Sequence, residues 1–111
     1  MRIAIFEDDR GFATWLENLI RQLTHHPTAI NTGTVGDIIR WIKKTADPVL
    51  YLLDVVADGN TAGLRIAQSI DEQHNGSLII FLTAYPHSIQ YNPVYKTKAF
   101  SVIFKNIILV V

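Results

Sequence analysis

Residues 49–59 read Val-Leu-Tyr-Leu-Leu-Asp-Val-Val-Ala-Asp-Gly. Five consecutive apolar or aromatic side chains, Val49 to Leu53, end at the carboxylate of Asp54. A run that is apolar at every position fits a strand covered on both faces, the state of strands inside a parallel sheet with helices above and below. A carboxylate at the end of such a strand is held rigidly by the buried run and exposed at the sheet's rim.

The rest of the chain supports this frame. Ile3 to Phe6 is a short buried-strand run, after which Phe12, Leu16, Leu19, Ile20 and Leu23 recur at helical spacing. The stretch Ala-Ile-Asn-Thr-Gly at 29–33 is a weak second strand. Thr34 and Asp37 have the spacing of a capping box and open a helix carrying Val35, Ile38, Ile39 and Ile42. Val49 to Leu53 is the third strand, and Leu64, Ala67 and Ile70 mark the next helix. Residues 77–83, Ser-Leu-Ile-Ile-Phe-Leu-Thr, form the fourth strand. A fourth helix is expected over Ser88 to Lys98, shortened or kinked at Asn92-Pro93. Residues 99–105, Ala-Phe-Ser-Val-Ile-Phe-Lys, form the fifth strand.

Strands about 25 residues apart with helices between them read as βα units on a parallel sheet. Right-handed crossovers make the fold a doubly wound α/β sandwich, whose site lies at the carboxyl ends of the strands. Those ends carry Glu7, Asp8 and Asp9 after the first strand, Asp54 after the third, Thr83 on the fourth and Lys105 on the fifth. Clustered carboxylates repel one another. A divalent cation relieves the repulsion, and oxygen-only ligands suit magnesium. With a lysine and a threonine hydroxyl beside it, such a rim suits a transferable phosphoryl group attacked by a carboxylate. Each residue also has an ordinary structural explanation: the acidic triplet as a solvated turn or helix cap, Asp54 as a cap, Thr83 as a strand-favouring residue, Lys105 as an edge residue. It is their joint placement, each at the end of its own strand, that points to chemistry.

Composition bounds the alternatives. The chain has 111 residues, 49% of them hydrophobic, which is one domain with material for a core. Ten basic and ten acidic residues give no net charge, so the footprint of a nucleic-acid binder is absent and no nucleic acid is assigned as a partner. The chain has no cysteine, which fits a reducing, cytoplasmic setting. No stretch has the length of a membrane span, and the first residues lack the form of a signal peptide.

The motifs Ile-Ala-Ile-Phe-Glu-Asp-Asp, Leu-Tyr-Leu-Leu-Asp, Ile-Ile-Phe-Leu-Thr-Ala and Ala-Phe-Ser-Val-Ile-Phe-Lys together resemble the receiver domain of two-component response regulators, over residues 1–105. The resemblance implies a flavodoxin/CheY-like fold: a doubly wound five-stranded parallel sheet of order 2-1-3-4-5, here with the fifth helix missing. It implies Asp54 as phosphoacceptor and Mg2+ as cofactor, held by Glu7, Asp8, Asp54 and the backbone carbonyl of Val56. Thr83, Ala84 and Lys105 fall on the phosphoryl-binding and switch positions, and Val56 and Tyr85 on positions that set the phosphoryl lifetime. The implied partner is a sensor histidine kinase, and the implied function is a phosphorylation switch of partner or subunit pairing that controls transcription. The domain is then no enzyme beyond slow self-dephosphorylation. The stretch Val-Tyr-Lys-Thr-Lys-Ala-Phe-Ser-Val-Ile-Phe-Lys is similar to regulators of the AgrA/ComE kind, which carry a LytTR-type DNA-binding domain and answer peptide pheromones in quorum sensing. Residues 1–111 are expected to be a receiver cut before that output domain.

Three features depart from the receiver pattern. Position 102 is Val where an aromatic switch residue is usual. The loop Val-Val-Ala-Asp-Gly-Asn-Thr-Ala-Gly lacks the usual proline and carries Ala62-Gly63 where Asp-Gly is common. Residues 106–111, Asn-Ile-Ile-Leu-Val-Val, are too few for a fifth helix, leaving one sheet face covered mainly by the first helix and inviting self-association. The alternatives are a phosphorylation-independent pseudo-receiver that only binds a partner, and an aspartyl-nucleophile phosphatase of the haloacid-dehalogenase type. The phosphatase would need its nucleophile after the first strand in an Asp-x-Asp pattern, which Glu-Asp-Asp does not supply.

Overall fold

Buried on nearly every residue, β1 (Arg2–Phe6) is an interior strand of the sheet. The computed structural model describes residues 2–7, 9–25, 29–31, 34–54, 62–83 and 99–104, with the backbone alone at 29–31, 54, 62–64, 83 and 99–104. The elements that follow are α1 (Arg10–Leu23), β2 (Ala29–Asn31), α2 (Val35–Lys44), β3 (Val49–Asp54), α3 (Ala62–Gln73), β4 (Leu78–Thr83) and β5 (Ala99–Phe104). The strands form one sheet in the order β2-β1-β3-β4-β5, and every pairing is parallel. This is the doubly wound order in which a ligand crevice lies beyond the carboxyl ends of the strands. Along β4 and β5 the pairing slips by one residue: Ile79 faces Ala99 but Ile80 faces Ser101, so Phe100 is extra.

Alternate side chains along each strand go to opposite layers. Ile3, Ile5, Leu52 and Leu82 pack with Phe12 and Leu16 of α1. Ala4, Phe6, Val49, Tyr51, Leu53, Ile79 and Phe81 pack with Ile38 and Ile42 of α2 and Ile66, Ala67 and Ile70 of α3. The α2/α3 layer is sealed, with Val49, Ile66, Ala67 and Phe81 at 0% exposure. The α1 layer is less complete, since Leu50 and Ile80 are only partly buried.

Each helix has a local reason to start and stop. Asp9 caps α1, its Oδ1 accepting from the Phe12 N–H at 3.1 Å, and Thr24 ends it by donating both its N–H and its hydroxyl to the Ile20 carbonyl. Thr34 caps α2, accepting from the Asp37 N–H at 3.1 Å and donating its hydroxyl to Asp37 Oδ2 at 2.6 Å. The Thr34 hydroxyl and then Arg40 hold the Asp37 carboxyl below its ordinary range. On the inner side of α2, Trp41 meets Tyr51 edge-on with ring centroids 6.1 Å apart. Burial pushes the Tyr51 phenol up to about 12.

The turn into β4 carries a side-chain clasp. His74 and Gly76 adopt positive φ, 49° and 81°, which turns the chain sharply after α3. Asn75 Oδ1 accepts from the Ser77 N–H at 3.1 Å and from the Ser77 hydroxyl at 2.6 Å. Its Nδ2 donates to the carbonyls of Thr45 and Asp47 across the turn between α2 and β3, both at 3.4 Å. Ser77 Oγ accepts from the Val49 N–H at 3.0 Å, so the amino ends of β3 and β4 are tied together.

Among the described residues no helix is long and apolar enough to cross a membrane. The expected fourth helix over 88–98 and the segment 106–111 lie outside the described residues.

Candidate functional site at the carboxyl rim of the sheet

Where β1, β3 and β4 end is set by register. Phe6 is paired with Leu53, so the next residues, Glu7 and Asp54, stand side by side at the end of neighbouring strands. Asp54 is paired with Leu82, and Thr83 follows it at the end of β4. Thr83 is paired with Phe104, the last described residue of β5. Adjacent strands lie about 4.8 Å apart, which brings the backbones of Glu7, Asp54 and Thr83 within about two strand spacings. The apolar run from Val49 carries the chain through the core and stops at this edge. Asp54 is the last residue of the strand itself, one position later than the run of apolar side chains indicates.

The acidic triplet divides its tasks. Glu7 is the one buried charged side chain among the described residues, at 3% exposure. Its Oε1 accepts from the Asp9 N–H at 3.1 Å, which fixes the carboxylate against the turn that follows β1. Asp9 points the other way in function: it caps α1 and is exposed. The structural explanation of the triplet as a helix cap therefore holds for Asp9 and not for Glu7.

Asp8, Val56, Ala84, Tyr85 and Lys105 lie outside the described residues, and at Asp54 and Thr83 the structure describes the backbone. Among the described residues no three His, Asp or Glu side chains gather as a metal site. The loop read as ending with Ala62-Gly63 is shorter than the sequence indicates, because both residues belong to the first turn of α3. Val102 sits on β5 opposite Phe81 of β4.

A concavity among the described residues lies at the opposite end of the sheet. It is a cleft of about 210 Å³ beneath the clasp, lined by Ile70, Asp71, His74, Asn75, Gly76, Ser77 and Ile79. Its position at the amino ends of the strands separates it from the carboxyl rim. The clasp that walls it escapes sequence reading because its bonds join residues 28 to 30 positions apart.

No protein-family model matches the chain. No curated protein matches it either. Among solved structures, its fold is similar to that of a protein assigned to pilus assembly (cpaE) from Burkholderia thailandensis E264, with a TM-score of 0.72 and 17% identity over 96% of this chain and 86% of that one. At that identity the likeness speaks for the fold alone: the chain is a small α/β domain built on a parallel sheet.

Proposed function

We propose that the chain is a receiver-type phosphoacceptor domain in which Asp54 takes a phosphoryl group from the phosphohistidine of a sensor kinase. The observation that carries the reading is the register. Phe6 opposite Leu53 and Asp54 opposite Leu82 bring Glu7, Asp54 and Thr83 to one rim on three adjacent strands.

In the proposed reaction a carboxylate oxygen of Asp54 attacks phosphorus in line. The O–P bond forms as the P–N bond to the kinase imidazole breaks, and the bonding pair leaves on that nitrogen. The Lys105 ammonium and the Thr83 hydroxyl meet the phosphoryl oxygens, and Ala84 leaves room for them. Glu7, Asp8, Asp54 and the Val56 carbonyl would hold magnesium, which takes hard oxygen donors of this kind, and the buried, backbone-fixed carboxylate of Glu7 supports that fit. Bound there, the ion supplies neutralisation of the phosphoryl charge. Val56 and Tyr85 offer no ready base to an attacking water near pH 7, so the acyl phosphate is long-lived and the domain acts as a switch rather than an enzyme. A preference of a few kcal/mol for one of two arrangements of the β4–β5 edge suffices to shift the population. The finer assignment, a LytTR-linked regulator of transcription in peptide-pheromone signalling, rests on the stretch from Val94 to Lys105.

A second reading is a receiver-like module that binds a partner without phosphorylation. Val at position 102 favours it, as does a fold shared with a protein named for pilus assembly. Incubation with a small acyl phosphate and Mg2+, followed by intact mass, separates the two. Uptake of one phosphoryl group by the wild type and none by Asp54→Asn supports the phosphoacceptor. A wild type that stays unmodified supports the binding module.

A further inference from the structure

Of the six asparagines in the chain, Asn75 alone is followed by glycine. An asparagine amide is open to attack by the backbone nitrogen of the next residue, and a glycine there has no Cβ to hinder the approach. Asn75 is also the residue on which the clasp at the amino end of the sheet is built. Its Oδ1 accepts from the N–H and the hydroxyl of Ser77, and its Nδ2 donates to the carbonyls of Thr45 and Asp47. The reactive amide is thus held at both ends, by the start of β4 on one side and by the turn between α2 and β3 on the other. Gly76 is exposed, stands at φ 81° and has open space where a Cβ would lie. Solvent therefore reaches the attacking backbone while the target side chain is tied down.

We propose that Asn75 is a deamidation site gated by the clasp: the closed clasp slows the reaction, and the reaction, once complete, keeps the clasp from closing again. The Gly76 nitrogen gives up its proton to hydroxide and attacks Asn75 Cγ. The N–Cγ bond forms, the Cγ–Nδ2 bond breaks, and Nδ2 leaves as ammonia with a proton drawn from water. The cyclic imide then adds one water at either carbonyl and opens to aspartate or isoaspartate. One water is consumed and one ammonia released, and nothing is oxidised or reduced. Ring closure swings the side chain onto its own backbone, a rotation resisted by the bonds to Ser77, Thr45 and Asp47. The chemistry therefore runs from a locally opened state. Either product undoes the clasp. A carboxylate has no donor for the Thr45 and Asp47 carbonyls and sets negative charge against them. Isoaspartate also inserts a methylene into the main chain between His74 and Gly76, the two positive-φ residues of the turn. Ser77 is then drawn off the Val49 N–H of β3.

The wild-type chain, Ser77→Ala and a synthetic peptide of residues 71–80 are aged at mildly alkaline pH, below the melting temperature of both proteins. Ammonia release and peptide mapping of aspartate and isoaspartate at position 75 give the rates. Mapping separates this site from Asp58-Gly59, a pair that isomerises without releasing ammonia. The peptide is expected to deamidate fastest and the folded wild type several-fold more slowly. Ser77→Ala falls between them, because it loses one bond to Asn75 and the tie to Val49. Asn75→Asp, which makes one product directly, is expected to melt several degrees below wild type. A peptide that keeps its amide overturns the site itself. Equal rates in peptide and wild type overturn the gating, and so does a folded Ser77→Ala that reacts no faster than wild type. The comparison of peptide with wild type remains decisive if Ser77→Ala fails to fold. An Asn75→Asp chain that melts with wild type overturns the claim that the product opens the clasp.

Discussion

Replacing Ser77 by alanine tests whether the clasp at the amino end of the sheet holds β3 in place. The Ser77 hydroxyl accepts from the Val49 N–H at 3.0 Å and donates to Asn75 Oδ1 at 2.6 Å. Val49 is fully buried, at 0% exposure, so its N–H loses its partner in a place where water does not readily replace it. An unsatisfied buried donor costs about 1–3 kcal/mol. Unfolding entropy of about 2.1 cal/mol/K per residue gives a 111-residue chain about 0.23 kcal/mol/K, so Ser77→Ala lowers Tm by about 4–13 °C. Ser69→Ala is the matched control. Its hydroxyl donates to the Arg65 carbonyl at 3.1 Å on an exposed turn of α3, and removing it changes stability by no more than about 0.5 kcal/mol. Thermal and urea unfolding of both variants, followed by circular dichroism, gives the comparison. Equal midpoints for Ser77→Ala and Ser69→Ala would refute the argument that the clasp supports the strand.

Asp9→Ala removes the cap of α1 and costs about 1 kcal/mol in urea unfolding, with the Asp9 N–H to Glu7 bond retained because it is made by the backbone. The depressed Asp37 carboxyl stabilises the fold above its ordinary value of 3.8, and that stability is lost as pH falls through the lower folded value. Thr34→Ala, which removes the leading cause of the shift, therefore flattens the acid limb of the stability profile, as read by urea midpoints from pH 5 to pH 2. The Tyr51 phenol acts in the opposite direction. Its value is raised from 10.0 to about 12, so the fold loses stability as pH rises between those values. Tyrosinate absorbance then shows one tyrosine ionising late or together with unfolding, and Tyr51→Phe removes that phase.

The parts of this chain legible in its sequence are those whose cause is local. Runs such as Val49 to Leu53 and Leu78 to Leu82 announce interior strands because no polar side chain interrupts them. The period of Phe12, Leu16, Ile20 and Leu23 announces α1, and Thr34 with Asp37 announces the start of α2 because the capping bond spans only three residues. The alternation of these signals was enough to indicate a parallel α/β sheet. Boundaries were less legible. Asp54 belongs to β3 because its backbone still pairs with Leu82, and a carboxylate side chain conceals a backbone hydrogen-bond ladder. Ala62 and Gly63 read as loop residues because they fall where the receiver pattern commonly has Asp-Gly, yet both lie in the first turn of α3.

The candidate site residues stand out in the sequence as a set rather than singly, and the acidic triplet shows why. Glu7, Asp8 and Asp9 are equivalent by composition, and only the direction of the chain after β1 distinguishes them. The turn aims the Asp9 N–H at Glu7 Oε1 and the Asp9 carboxylate at the Phe12 N–H. One carboxylate thus enters the protein while its neighbour two positions on starts a helix. The Glu7 arrangement depends on a backbone donor, so Asp9→Ala leaves that bond in place, whereas Glu7→Ala removes its acceptor and empties a buried position beside the rim. Helix capping and orientation of the rim carboxylate are therefore separable within a three-residue turn. Asp9→Ala reduces stability and keeps any phosphoryl uptake at Asp54, whereas Glu7→Gln keeps the side chain's volume and its acceptor oxygen but removes one negative charge from the rim. Equal phosphoryl uptake by Glu7→Gln and wild type across a magnesium titration would show that the buried carboxylate serves the turn alone. A higher magnesium requirement for Glu7→Gln, with unchanged thermal stability, assigns its charge to the site.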